Sequence, residues 1–201
     1  MAATLPLSAQ TASPQTRPPS PAPPAPDSPP SADVVTPQTR QAIEKGLDWL
    51  AANQAPDGHW GEQFPVATTS LAGLALLAGG HLPGRGKYGL KVLQAIRYLL
   101  KWARMKVDSS HYYFSEIGGQ MQGGSRMHGH GYATLFLSEA YGMAEDFGSD
   151  VNPEELRVSI QCAVRTIENS QSSQGGWYYE PDLVPGRKVD ADEGSVTVTQ
   201  I

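Results

Sequence analysis

Cysteine is nearly absent from this chain. Its 201 residues include one, Cys162, so no disulfide can close within it. Cys162 falls inside an apolar helical pattern, which points to a buried structural thiol and away from a nucleophile. Long apolar runs are also missing. No stretch approaches the roughly 20 residues that a membrane-crossing helix needs, so no transmembrane span is expected. Nor is there an excess of basic charge: 15 Lys and Arg stand against 20 Asp and Glu, a formal charge of -5. Nucleic acid is excluded as a partner on that ground, because phosphate binding needs a basic face.

What is present begins with proline. Residues 1 to 33 hold ten of the 17 prolines, with Ala, Ser, Thr and Gln and no aromatic residue. Such a stretch has too little apolar surface to offset its ordering entropy, and it reads as a disordered Pro/Ala/Ser-rich lead, partly polyproline. Its opening, "MAATLPLSAQ", resembles the tail of a secretory signal without the basic region or a full apolar core. An exported, periplasmic location is one expectation from it. At the other end, "GSVTVTQI" reads as the first turns of a buried helix, so the chain reads as a fragment whose repeats are truncated at the C-terminus.

From residue 38 the segments alternate between two kinds. Residues 38 to 54, 88 to 105 and 153 to 170 are amphipathic, with apolar stripes such as Leu93, Ile96 and Leu100 set among Lys and Arg. The last of these starts at Pro153 with Glu154 and Glu155 behind it, a favourable helix start. Residues 66 to 79 carry no charge, residues 130 to 146 are apolar until their end, and a sixth segment opens at Ser195. A helix apolar all round is buried on all sides, whereas one with a single stripe covers something. The alternation predicts an all-α fold over residues 34 to 201, with inner helices wrapped by outer ones: an arc of an α/α toroid made of helical hairpins.

One joint is written twice. "NQAPDGHW" and "SQSSQGGW" each place Gln six residues before Trp, with Gly between. Gly58 and Gly175 fit a tight exit from a helix, and Trp60 and Trp177 can cover it. Gln54 and Gln171 are expected to bond orphan groups at the helix ends. After the third helix the pattern is lost in "VDSSHYYFSEIGGQMQGGSRMHG", a long Gly-rich insertion of the kind that often serves function or mobility.

"KGLDWLAANQAPDGHWG" resembles the QW motif of the prenyltransferase and squalene oxidase repeat family. Lys45, Gly46, Trp49, Leu50, Gln54, Gly58 and Trp60 fit that pattern, and a second copy keeps Gln171, Gly175, Gly176 and Trp177. The resemblance spans roughly residues 38 to 201 and implies the toroid fold. The family includes squalene-hopene and oxidosqualene cyclases, zinc-dependent protein prenyltransferases and many bacterial proteins of unassigned role. "PVATTSLAGLALLAGG" and "DADEGSVTVTQ" look most like the last group, which is often exported.

The nearest approach to a catalytic motif is "VDADEGS". Squalene-hopene-type cyclases carry Asp-x-Asp-Asp, whose middle Asp protonates an alkene. The resemblance puts Asp190 and Asp192 on the first two positions and Glu193 on the third, with Gly194-Ser195 replacing Thr-Ala. An alkene is a very weak base, so its acid must be kept protonated in a dry cavity. Set against that, all three acids also suit the positive N-terminus of the sixth helix, and that reading comes first. His128 and His130, two apart, are not neighbours on a helix and belong to a loop or to packing before metal. The zinc prenyltransferases' Asp-x-Cys pair is missing, because Ile160 stands two residues before Cys162. The glycines of "IGGQMQGG" follow no strand pattern, and no cofactor or metal is expected. Tyr112, Tyr113 and Phe114 read as an apolar plug before an aromatic wall. Two functions stay open: a non-catalytic toroid holding an isoprenoid, another apolar ligand or a protein partner, and a fragment of a terpene cyclase, an isomerase.

Overall fold

A computed structural model describes residues 35–102, 106–108, 111–112, 114, 126–143, 147–148, 150–182 and 191–201. The expected lead over residues 1 to 33 lies outside them. Contacts divide the chain into Met1–Thr36, of which Val35 and Thr36 are described, and Pro37–Ile201. The second unit is built of helices α1 (Pro37–Ala52), α2 (Pro65–Ala78), α3 (Gly89–Trp102), α4 (Arg126–Met143), α5 (Pro153–Ser170) and α6 (Gly194–Gln200). Between α3 and α4 lies a short antiparallel ribbon, β1 (Lys106–Asp108) with β2 (His111–Tyr112), pairing Lys106 with Tyr112 and Asp108 with His111.

Two helices, α2 and α5, start on local signals. α2 and α5 open on Pro at the first turn, where the missing N–H costs nothing. Asn152 caps α5, its side-chain oxygen accepting from the N–H groups of Glu154 at 2.9 Å and Glu155 at 3.4 Å. Glu154 and Glu155 then complement the helix dipole.

α4 sits at the centre. It packs against α2, α5 and α6, while α2 also meets α3 and, lightly, α1. The charge-free α2 and the apolar α4 bury residues around much of their circumference. The main core gathers Leu76, Ile96, Leu99, Phe114, Phe136 and Leu156, all fully buried. A smaller cluster joins Met127, Trp177 and Val196, with Ile167 against it. Phe114, in the aromatic run of the insertion, is thus a core residue, whereas Tyr113 lies outside the described residues.

α4 begins four residues earlier than the sequence reading placed it, so His128 and His130 are helical and not in a loop. The glycines around them mislead. Gly in a helix interior costs about 1 kcal/mol against Ala, but here it lets a neighbour in: a Cβ at Gly131 would lie 2.2 Å from the Thr199 carbonyl oxygen of α6. Burial against two helices offsets the propensity cost. The amphipathic stripe of α1 is only partly covered. Leu47 and Leu50 pack on the core, but Ile43 is 49% exposed.

Candidate functional site

The two joints are atomic repeats of one another. After α1, Ala55 N–H donates to His59 O at 2.9 Å and Gly58 N–H to Ala55 O at 2.9 Å. After α5, Ser172 N–H donates to Gly176 O at 2.9 Å and Gly175 N–H to Ser172 O at 3.2 Å. Gly58 has φ of 102° and Gly175 95°, where any side chain would be strained. Gln54 Nε2 donates to Gly58 O at 2.9 Å, and Gln171 Nε2 to Gly175 O at 2.8 Å. The Trp60 indole N–H donates to Leu50 O at 2.8 Å, and that of Trp177 to Ile167 O at 2.7 Å. Their backbone N–H groups donate to Thr69 Oγ1 at 3.0 Å and Thr197 Oγ1 at 3.1 Å, the first turns of α2 and α6.

The glutamines close the turn, and the tryptophans serve the carbonyls of the preceding helix. The indole reaches further than a Gln amide and stays apolar over the rest of its surface, so one side chain both covers the joint and donates into it.

The copies differ in what lies over them. Gln54 Nε2 also donates to Lys91 O of α3 at 3.0 Å, and a Cβ at Gly58 would lie 2.3 Å from Gln94 O. At Gly175 a Cβ would meet nothing within 4 Å among the described residues.

The acidic stretch lies at the start of α6. Asp190 is outside the described residues. Asp192 is exposed, and its carboxyl leans on Gly176, where a Cβ would lie 2.6 Å from Cγ. Glu193 is the N-cap, accepting from Ser195 N–H at 3.4 Å and Ser195 Oγ at 3.2 Å. Around it stand residues that the sequence reading did not single out. Desolvation and the Glu193 carboxylate raise the pKa of the Tyr179 phenol. Tyr178 meets Tyr179 edge-on at 5.0 Å, and His128 lies 6.3 Å from the Tyr179 ring. Arg126 faces Glu180 at 3.7 Å. Desolvation raises the Glu180 pKa and Arg126 opposes it. The Met127 N–H holds the loop in place by donating to Tyr179 O at 3.1 Å. The one signal for this group in the sequence is the point where the copies part: "YYE" follows Trp177, while "GEQ" follows Trp60.

A second feature is a side of the α2/α4 layer that stays open among the described residues. On α2 it carries Ala67, Leu71 and Ala78, with Leu71 47% exposed and no charge, while Leu74 packs against the main core. On α4 it carries His128, Tyr132, Leu135 and then Glu139, at helical spacing. Opposite, His130 is fully buried. Its Nδ1 accepts from Phe114 N–H at 3.1 Å, and its Nε2–H donates to Ala163 O of α5 at 3.1 Å. Burial lowers its pKa to about 4, so the ring is neutral packing material.

Cys162 is buried on α5. Among the described residues no group of three or more His, Cys, Asp or Glu is placed to hold a metal ion, and no helix is long and apolar enough to cross a membrane. In comparisons with known proteins, no family model, no curated protein and no solved structure matches the chain.

Proposed function

We propose that residues 34 to 201 form an arc of an α/α toroid of the prenyltransferase and squalene oxidase repeat type, and that its concave side holds an apolar ligand of isoprenoid character without transforming it. The observation that carries this reading is the charge-free, uncovered side of α2 around Leu71. A contiguous exposed apolar patch marks a contact site, and an all-carbon chain needs no polar partner there. The twin joints support the repeat assignment, because the same Gln, Gly and Trp make the same bonds in both.

Support for a ligand holder over a catalyst comes from the acids. Protonating an alkene requires a carboxylic acid kept neutral in a dry cavity. Asp192 is exposed, and Glu193 is engaged as a helix cap. The second reading, a terpene cyclase fragment acting through Asp190, Asp192 and Glu193, draws on the aromatic pair Tyr178 and Tyr179 beside that cap.

The test is equilibrium binding of radiolabelled farnesol and squalene to the full chain, with product analysis of the same mixtures. Binding is expected, with about a tenfold loss in Leu71→Arg and no cyclised product. Equal binding by Leu71→Arg defeats the ligand site. A cyclic product that vanishes in Asp192→Asn, with the fold intact, establishes the second reading instead.

A further inference from the structure

The net charge of -5 conceals a division of sign along the chain. Between Glu62 and Asp108 there is no acid, and seven of the 15 Lys and Arg fall there. The remaining residues carry all 20 acids against eight cations. Folding gathers much of the basic stretch on one surface. α3 has no acidic residue, and it buries the face that holds Val92, Ile96 and Leu99. Its solvent side is a stripe at i, i+4, i+7 and i+11: Leu90, Gln94, Arg97 and Lys101. Lys87 and Lys91 stand beside that stripe at its N-terminal end. The stripe lies opposite the buried face, so its exposure follows from how α3 itself packs.

Two of these cations have acids across from them. Lys87 reaches Asp48 of α1 at 2.7 Å, and Arg97 stands 3.8 Å from Asp150. The partners in both pairs are half exposed or more, so the attraction is weak and screened by salt. Lys91 and Lys101 are exposed and have no acid partner. Leu90 is 69% exposed, the one large apolar side chain of α3 left open to water among those described. A cationic stripe that ends in an exposed leucine thus has two unmet needs, negative charge and an apolar phase.

We infer that this stripe docks on the surface of a bilayer that contains anionic phospholipid. α3 lies along the surface, with Leu90 entering the boundary of the acyl chains and Lys91, Arg97 and Lys101 over the negative headgroups. The cations spread over about 16 Å of helix on separate flexible stems, and a lipid sheet meets them without a fixed register. Leu90 selects lipid among anions. A nucleic-acid backbone offers it no apolar phase, and an acidic protein would need an apolar contact placed opposite it. The protein rests on such a surface and does not cross it, since no described helix is long and apolar enough to span a membrane. Neither the contact nor its test depends on a ligand held by α2 and α4.

The experiment is cosedimentation of the full chain with phosphatidylcholine vesicles and with vesicles of phosphatidylcholine and phosphatidylglycerol. Binding is expected to the second kind, to fall as salt rises, and to be weak to the first. The double variant Lys91→Glu, Lys101→Glu is expected to lose at least about tenfold in binding. Leu90→Asn is expected to lose about fivefold. All three positions are exposed, so thermal melts of both variants are expected to match the wild type. Equal binding to the two kinds of vesicle overturns the inference, as does no binding to either. Binding that the double variant does not weaken overturns it too. Binding that Leu90→Asn leaves unchanged overturns the lipid assignment and makes α3 a site for an acidic protein or another polyanion.

Discussion

Trp177 donates its indole N–H to the carbonyl of Ile167 at 2.7 Å, ten residues back and one turn inside the end of α5. Trp60 does the same to Leu50 on α1 at 2.8 Å. The last carbonyls of a helix have no partner within it. Here a large apolar side chain supplies the donor, so the joint is covered and satisfied by one residue.

Two substitutions separate these contributions. Trp177→Phe keeps most of the buried surface and leaves the Ile167 carbonyl without its donor, at an expected cost of about 1–3 kcal/mol. Trp177→Ala also opens a cavity, at about 3–5 kcal/mol. The same ordering is expected at Trp60, with a smaller first step because Leu50 O also accepts from Asn53 N–H at 3.1 Å. Urea denaturation measures both, and alanine variants at both sites losing under about 1 kcal/mol would remove the joints from the list of stabilising features.

The two glycines give a sharper comparison, since their backbones match and their surroundings do not. Gly175→Ala meets nothing within 4 Å among the described residues and carries the strain of positive φ, about 1–2 kcal/mol. Gly58→Ala carries that strain and also drives a methyl into the backbone of α3 at Gln94, so it is expected to cost clearly more. Melts of the two variants side by side decide it. Equal losses would mean that α3 can move aside freely.

The helices were legible in the sequence because charge placement differs between segments: α3 and α5 have a dry stripe and a wet face, and α2 has no wet face at all. The start of α5 was legible from Pro153 and its two acids. The start of α4 was not, because Gly129 and Gly131 weaken local helix propensity, and the reason for Gly131 lies in the approach of α6. The repeated Gln, Gly and Trp announced a repeated joint. Which carbonyl each side chain would reach was hidden, since Gln and Trp both donate and only the folded distances choose between acceptors. Tyr178, Tyr179 and Glu180 were passed over because their meeting with Arg126, His128 and Glu193 exists only once α4 and α6 are side by side.

The cap on α6 can be tested without any ligand. Glu193→Ala removes the acceptor for the Ser195 N–H and hydroxyl, at an expected cost of about 1 kcal/mol. It also removes the neighbouring charge that helps to raise the Tyr179 pKa. The phenol absorbance of Tyr179, isolated by difference against Tyr179→Phe, is expected to titrate at lower pH in the Glu193→Ala background. An unmoved titration would place Glu193 too far from Tyr179 to matter.

His130 sets the last expectation, a pH dependence of stability. Folded, the ring holds Phe114 of the insertion on one nitrogen and the Ala163 carbonyl of α5 on the other, with no water between. A second proton would have to sit on Nδ1 and face the Phe114 N–H, two donors head on. Desolvation by complete burial, opposed by the bond to the Ala163 carbonyl, holds the pKa at about 4 against an ordinary value of 6.5. Unfolded, the same ring takes its proton as pH falls below about 6.5. Between those two values the unfolded chain binds more protons than the folded one, so stability falls as pH falls through that window. This group contributes nothing further once pH is below its folded value. A shift of this size corresponds to about 3 kcal/mol, at roughly 1.4 kcal/mol per unit. Carboxylates titrate in the lower part of the same range, so the measurement is a difference. Urea melts of the wild type and of His130→Gln are run from pH 7.5 to 4. Gln keeps a donor and an acceptor but cannot charge. The wild type is expected to lose more stability than the variant across the window, and parallel curves would show that His130 is protonated as readily in the fold as out of it.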